Sequence, residues 1–311
     1  RLSPLGIRSI AKSADLILTR HYEAPSKVLV LDCDNTIWGG VIGEDELHGI
    51  ILGQDGVGQA FVDFQKEVKS LIDQGIIVAL SSKNNENEVW EVFKNHQNMV
   101  LTKDDIVAWK INWSEKTQNI KEMARELDLG LDSFVFWDDN PVEQEKMRLL
   151  APEVKTVAAP LEVYEWPNLL RSLFDFAKFS TTKDDASKTA LYQKRAKFVR
   201  DSSKADNELS YLKSIRLSPD IHYFDRSNIA RAAQLCSKTN QFNLNGLRLS
   251  EANFLKVLKN NGKLFSGFYK DKTGDFGEII TLLIDNNEKV RSFVMSCRVF
   301  QRQIENIFLA E

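Results

Sequence analysis

The sequence predicts an α/β protein, with a Rossmann-like parallel sheet covered by helices on both faces and a smaller mixed α/β domain after it. Three observations carry this. Short apolar runs alternate with amphipathic helices over residues 27–160. Those apolar runs end in polar, acid-rich tips. Past residue 160 the rhythm changes to strand-like runs separated by turn signals.

Val28 to Leu31 is an unbroken apolar run, as a strand buried on both faces requires. Phe61, Phe64, Val68 and Leu71 recur at helical spacing, and Gly75 stands where a glycine ends a helix. "IIVAL" (76–80) is the second strand. Asn84 or Asn85 caps a helix whose inward face is Val89, Val92 and Phe93. "KTQNIKEMARELDLG" (116–130) is a third helix, with Ile120, Met123 and Leu127 inward and Gly130 ending it. "SFVFW" (133–137) and "VKTV" (154–157) are further strands.

"APLEVYEWPNLL", with two prolines and no clean period, reads as a boundary. A long helix over 184–200 follows, then a strand near "IRLSPDIHYF" and the helix "SNIARAAQLCSK". Three strand-like runs come last: "KLFSGFYKD", "GEIITLLID" and "VRSFVMSC". Lys272-Thr273-Gly274 and Asn286-Asn287 are the turns between them. The expected organisation is an N-terminal extension over 1–26, a first domain over 27–160 and a second over 161–311, with no internal repeat.

The chain has 311 residues, is 43% apolar and 27% charged, and carries a formal net charge of −3. That balance supplies no global field for nucleic acid or an anionic membrane, so neither is an expected partner. Cys33, Cys236 and Cys297 are far apart with no CxxC spacing, which argues against a zinc site or disulfide framework and for a reducing compartment. No apolar run reaches the roughly 18 residues of a membrane span. A cytoplasmic location is expected. The chain opens at Arg1 without Met and reads as a piece of a longer protein. His21, His48, His96 and His222 form no metal-ligand spacing.

The chemistry lies at the strand tips. The first strand ends in Asp32 and Asp34, the second in Ser81-Ser82-Lys83-Asn84, and "SFVFW" in Asp138-Asp139-Asn140-Pro141; Lys116 lies just before the helix leading into that last strand. In open parallel sheets, ligands bind beyond the carboxyl ends of the strands. Strand alternation puts Asp32 and Asp34 on one side and turns Cys33 away. Crowded carboxylates need a cation or protons, and hard oxygen ligands suit Mg²⁺. Ser82 and Thr36 are donors for a phosphate on that metal, and Lys116 offsets its remaining charge. Taken singly, each of these is an ordinary turn, cap or solvated charge. Their order along the chain makes the joint reading the stronger one.

DxDxT, then Ser, then Lys, then an Asp pair resembles the motif series of the haloacid dehalogenase (HAD) superfamily. The resemblance implies Asp32 as the nucleophile that takes the phosphoryl group and Asp34 as the general acid and base. It further implies a Mg²⁺ held by Asp32, the backbone carbonyl of Asp34, and either Asp139 or Asp138. Asp139 is favoured as the direct ligand, with Asp138 supporting it. The segments between Asp34 and Ser82, and between Ser82 and Lys116, are too short to hold a cap domain, so a capless member is expected. The Trp-Gly-Gly flap and one helix fill the first of them.

The stretches "LDCDNTIWGGVIGEDELHGI", "SSKNNENE", "INWSEKTQNI", "SKTNQFNLN" and "FVMSCRV" resemble the FkbH-like family. That resemblance implies a glyceryltransferase/phosphatase that draws on 1,3-bisphosphoglycerate and passes the glyceryl unit to the thiol of an acyl carrier protein, for polyketide-type synthesis. The second domain then resembles the GNAT acyltransferase fold. Cys297 beside Arg298 is either an acyl-carrying thiol or a buried core residue, and Lys238, Asn240 and Gln241 are either substrate contacts or a polar loop. Family members carry glycines where this chain has Gln301 and Gln303, and a Cβ there obstructs close backbone approach. Two further readings stand beside this one: a simple phosphatase whose second domain is a lid or partner-binding module, and a noncatalytic carrier-binding module.

Overall fold

The computed structural model describes residues 3–22, 25–177, 188–203, 218–223, 229–239, 242–271, 274–296, 299–300 and 302–310. The chain divides into two compact units, Arg1–Ala196 and Lys197–Glu311.

In the first unit, helix α1 (Pro4–Tyr22) precedes strand β1 (Val28–Leu31), all four residues of which are buried. Side-chain alternation along β1 feeds two cores. Leu29 and Leu31 pack with Ile42 of α2 (Ile42–Gly49), with Phe61, Phe64 and Val68 of α3 (Gly56–Asp73), and with Val89 and Val92 of α4 (Glu86–Asn95). Val28 and Val30 pack on the other face with Ile120, Met123 and Leu127 of α5 (Lys116–Leu127) and Met147 of α6 (Pro141–Leu150). The remaining strands are β2 (Ile77–Ser82), β3 (Ile106–Ile111), β4 (Phe134–Trp137) and β5 (Lys155–Thr156). They pair in parallel in the order β3-β2-β1-β4-β5. The chain builds one side of β1 and then returns to build the other, so the strand order reverses beside β1. Between β1 and β2, and between β2 and β3, it forms only the helices named above, a 3-10 turn and loops, with no inserted cap domain.

Three readings of the sequence change here. Gly75 does end α3 at φ 79°, donating to the Ile72 carbonyl, but Gly130 does not end α5. Asp128 does so, at φ 54°; aspartate visits the left-handed region more readily than most residues. Strand β3 was not expected from the pattern, because its "IVAWKI" run carries Trp109 and Lys110 only half-buried at the sheet edge. The boundary at residue 160 moves C-terminally. Trp166 and Leu170 of α7 (Trp166–Ser172) and Phe176 join the first core. Trp166 lies 5.5 Å from Phe64 and 5.7 Å from Trp137 between ring centroids. The long helix is α8 (Lys188–Ser203), whose Tyr192 and Ala196 join the second core; residues 184–187 of its expected span lie outside the described residues.

The Lys197–Glu311 unit contains an antiparallel sheet in the order β6-β7-β8-β9, formed by β6 (Ser218–Tyr223), β7 (Lys263–Asp271), β8 (Gly274–Ile284) and β9 (Val290–Met295). Helices α9 (Ile229–Lys238) and α10 (Glu251–Lys259) share a core with it through Ala232, Leu235, Cys236, Phe254, Leu264 and Leu283. Helix α11 (Ile304–Ala310) closes the chain. The Asn286-Asn287 turn is organised by Asp285, whose Oδ1 accepts from the backbone of Asn287 and Lys289; Lys272 and Thr273 lie outside the described residues. Among the described residues, no helix is long and apolar enough to cross a membrane.

Candidate active site

The polar strand tips meet in the crevice where the strand order reverses. Asp32 directly follows β1 and extends its pairing, its backbone N–H donating to the Trp137 carbonyl at 3.1 Å. Asp138 and Asp139 follow β4, Ser82 closes β2 and Lys116 opens α5. Lys116 is 3% exposed. Its Nζ lies 2.9 Å from Asp32 Oδ2 and 2.7 Å from Asp138 Oδ2. Burial alone lowers the lysine pKa, but the charges of Asp32 and Asp138 outweigh it and hold the ammonium above the ordinary lysine range.

One lysine cannot neutralise this many carboxylates. Asp32, Asp138 and Asp139 each offer an oxygen within 4.8 Å of the others. Asp138 is fully buried, with Oδ1 accepting from the Asn140 N–H at 2.9 Å and Oδ2 held by Lys116. Its backbone carbonyl accepts from Gln144 Nε2 at 2.7 Å. Asp139 faces the cavity and receives the Thr36 hydroxyl on Oδ1 at 3.3 Å. Asp32 Oδ1 is buried with no hydrogen-bond partner. An orphaned carboxylate oxygen beside Asp139 is the donor set a hard divalent ion takes. These residues fit Mg²⁺, with Asp32 and Asp139 offering oxygens and Asp138 bracing them.

Asp34 stands apart from that cluster. Its Oδ1 accepts from Trp38 Nε1 at 3.0 Å and from the Ile42 N–H at 3.1 Å, and its Oδ2 accepts from Asn84 Nδ2 at 2.9 Å. The expectation of Asp34 among the metal residues therefore does not extend to its carboxylate, whose lone pairs are turned to these donors. Burial raises its pKa, while the Asn84, Ile42 and Trp38 hydrogen bonds oppose the rise. The Trp-Gly-Gly segment, expected as a flap, is an interior brace: Trp38 is fully buried against Phe93. Gly40 adopts φ 92°, and a Cβ there would meet Asp45 Oδ2 at 2.5 Å.

Asn84 or Asn85 was the expected helix cap. Asn85 occupies that position, and Asn84 turns inward to join Asp34 to Ser82, whose Oγ it reaches at 3.0 Å. The Thr36 hydroxyl, expected to donate to a phosphate, donates here to Asp139 Oδ1. The cavity these residues enclose is about 190 Å³ and is also lined by Asn35, Lys83, Asn140 and Glu143. Cys33 shares the core of Leu29 and Leu31, yet its thiol meets the Ser82 side chain and feels the Asp32 charge, so alternation does not carry it clear of the site; burial first, then Asp32, push its pKa up. Glu143 was missed, and the bond from Asn84 to Asp34 with it, because these contacts join residues 60 and 50 positions apart; the Trp38 indole reaches Asp34 over only four residues, but no pattern in the sequence aims it there. In the second unit Lys238 closes α9, while Asn240, Gln241, Cys297, Arg298 and Gln301 lie outside the described residues. Gln303 adopts φ 54°, a backbone conformation that glycine takes without strain.

The acidic cluster makes stability depend jointly on pH and metal. Burial first, then the Asp32 charge, push Asp139 up and carry Asp138 to about 7. Folding thus favours protons on these groups. That contribution is full below the unfolded value near 3.8 and is lost as pH rises through the folded pKa. Mg²⁺ requires the ionised forms and restores what is lost. A hundredfold excess of Mg²⁺ over its dissociation constant stabilises the protein by about 2.7 kcal/mol at pH 8. At pH 5 protons compete and the gain is much smaller. Thermal unfolding with and without Mg²⁺ at the two pH values checks this.

No family model matches the chain, and no curated protein matches it. Among solved structures, the chain is similar to the N-terminal part of a Bacteroides fragilis protein, described as containing a phosphatase domain complexed with Mg. The identity is 40% with a TM-score of 0.49, covering 54% of this chain and 44% of the other. The chain thus spans less than half the length of that solved chain.

Proposed function

We propose that the Arg1–Ala196 unit is a Mg²⁺-dependent phosphohydrolase of the HAD type, working through a phosphoryl group carried on Asp32. The observation that carries this is the setting of Asp32: Lys116 pairs with Oδ2, Oδ1 is buried with no hydrogen-bond partner, and the carboxylate converges with those of Asp138 and Asp139. The Asp32 carboxylate attacks phosphorus, and the bond from phosphorus to the leaving oxygen breaks as Asp34 gives that oxygen a proton. Water then attacks the phosphoryl group and Asp34 takes its proton. Phosphate departs and the Asp32 carboxylate is regenerated. Bound Mg²⁺ supplies charge neutralisation between the phosphoryl oxygens and the carboxylates. Trp38, Asn84 and the Ile42 N–H keep Asp34 in one orientation, and Ser82 and Lys116 face the phosphoryl oxygens.

The finer reading is that the unit removed belongs to a glyceryl donor such as 1,3-bisphosphoglycerate, and that the GNAT-like second unit passes the acyl group to a carrier-protein thiol. The Trp-Gly-Gly, Ser-Lys-Asn-Asn and Ile-Asn-Trp-Ser-Glu-Lys stretches support it through the FkbH-like resemblance. Incubation with 1,3-bisphosphoglycerate and holo acyl carrier protein, read by mass spectrometry, is expected to add a glyceryl mass to the carrier. Phosphate release without an acylated carrier makes the chain a simple phosphatase, a reading that Gln301 and Gln303 favour. No phosphate release at all leaves only a noncatalytic binding module.

A further inference from the structure

We propose that Trp90 and Trp109 form a binding site for a quaternary ammonium group, which Lys103 of the same chain fills when no ligand is present. Trp90 stands on α4 and Trp109 on the edge strand β3, and both are half-buried. Their rings lie 5.2 Å apart between centroids and cross at 86°, so they make the two walls of a corner. Lys103 opens the 3-10 turn (Lys103–Asp105) that leads into β3. Its Nζ lies over both rings, 4.4 Å from the Trp90 centroid and 5.5 Å from that of Trp109. Both distances fall within the roughly 6 Å over which the negative face of an aromatic ring attracts a cation.

A lysine lying along one tryptophan is a common way to cover an indole. This corner differs because its walls are held without the lysine. Glu86 Oε1 accepts from both indoles, from Trp90 Nε1 at 3.0 Å and from Trp109 Nε1 at 2.8 Å. Phe93, itself buried, packs against the Trp90 ring at 5.2 Å. The Glu86 carboxylate thus fixes the angle between the rings and adds a negative charge that favours a cation beside them. A primary ammonium gains little here, since it is compact and strongly hydrated. A quaternary ammonium holds its water weakly and has no N–H to satisfy, so the same attraction from the rings leaves a larger surplus. The exposed Lys103 turns into water when displaced and leaves no charge buried. None of these residues lines the cavity of the acidic cluster, and the inference is independent of the phosphohydrolase reading.

The chain has six tryptophans, so the indole N–H region of a nitrogen–proton correlation spectrum is sparse, and Trp90→Phe and Trp109→Phe assign the two signals of interest. Tetramethylammonium chloride is titrated against two controls: sodium chloride at equal ionic strength and tert-butanol, a neutral molecule of similar shape. The Trp90 and Trp109 signals are expected to shift saturably with tetramethylammonium alone. Lys103→Gln removes the competing ammonium and is expected to bind about threefold more tightly, the scale of one exposed cation–π contact. Trp90→Leu and Trp109→Leu lose the binding, while unmoved signals of the core residues Trp137 and Trp166 show that the fold persists. Choline and phosphatidylcholine vesicles then separate the sources of the ligand: binding of choline alone assigns a soluble metabolite, and binding of the vesicles assigns a lipid headgroup. Equal shifts with tert-butanol, no saturable shift in Lys103→Gln, or an affinity that Lys103→Gln leaves unchanged overturns the assignment.

Discussion

Asp32→Asn releases phosphate from a phosphoester about 10⁴-fold or more slowly than wild type, the scale on which removal of a reacting group acts when residues work as a unit. The substitution keeps the size of the side chain and removes two things together. The amide lacks the anionic carboxylate oxygen that attacks phosphorus, and the acidic cluster with Asp138 and Asp139 loses one charge. The variant stays folded, because an amide oxygen still accepts from Lys116 in place of Asp32 Oδ2. Phosphate release measured in saturating Mg²⁺, with circular dichroism to confirm the fold, checks this. Equal rates would remove Asp32 from the chemistry.

Lys116→Met has the second-largest expected effect, and it falls on stability as well as rate. The ammonium is held 2.9 and 2.7 Å from two carboxylates in a site it shares with almost no solvent. Removing one partner of a buried ion pair costs about 3–5 kcal/mol, because the remaining charge stays buried and uncompensated. Asp138 is already pushed up by its burial and by Asp32, so it answers the lost cation by holding its proton to higher pH. The destabilisation is therefore smallest at acidic pH and grows as pH rises through the folded pKa. Mg²⁺ recovers part of it by neutralising the same carboxylates. Activity does not return, since the charge that Lys116 directs at the phosphoryl oxygens is gone. Urea unfolding at pH 5 and pH 8, with and without Mg²⁺, separates these contributions. A variant as stable as wild type at pH 8 without metal would contradict the role given to Lys116.

The parts of the site that could be read from sequence are those in which one residue type at one strand end carries the information. Asp32, Ser82 and Asp139 follow that rule, because a buried apolar strand ending in a carboxylate or hydroxyl violates the pattern of its own element; Lys116, at the start of a helix, was legible only through its place in the motif order. The bracing contacts do not. Trp38 lies four residues past Asp34 but nothing in the pattern aims its indole there, and Asn84, one of two cap candidates, reaches Asp34 only in the folded chain. The Thr36 contact with Asp139, 103 residues away, was equally beyond the sequence pattern. The sheet was legible through its central strands, buried on both faces, whereas β3 at the edge mixes Trp109 and Lys110 into its run. The boundary at 160 failed because prolines mark a local break in the chain, not the limit of a core. Trp166, Leu170 and Phe176 continue that core past the break.

The central claim, that converging strand tips make Asp32 a metal-assisted phosphoryl acceptor, is tested most directly by trapping the acylphosphate. The protein is mixed with a phosphoester in Mg²⁺, quenched in acid, reduced with borohydride and digested. The account predicts that the peptide spanning Val28–Asn35 carries homoserine at position 32 when Mg²⁺ is present, and unmodified aspartate when it is chelated. Homoserine at Asp34, Asp138 or Asp139, or phosphate turnover with no modified peptide, would contradict it.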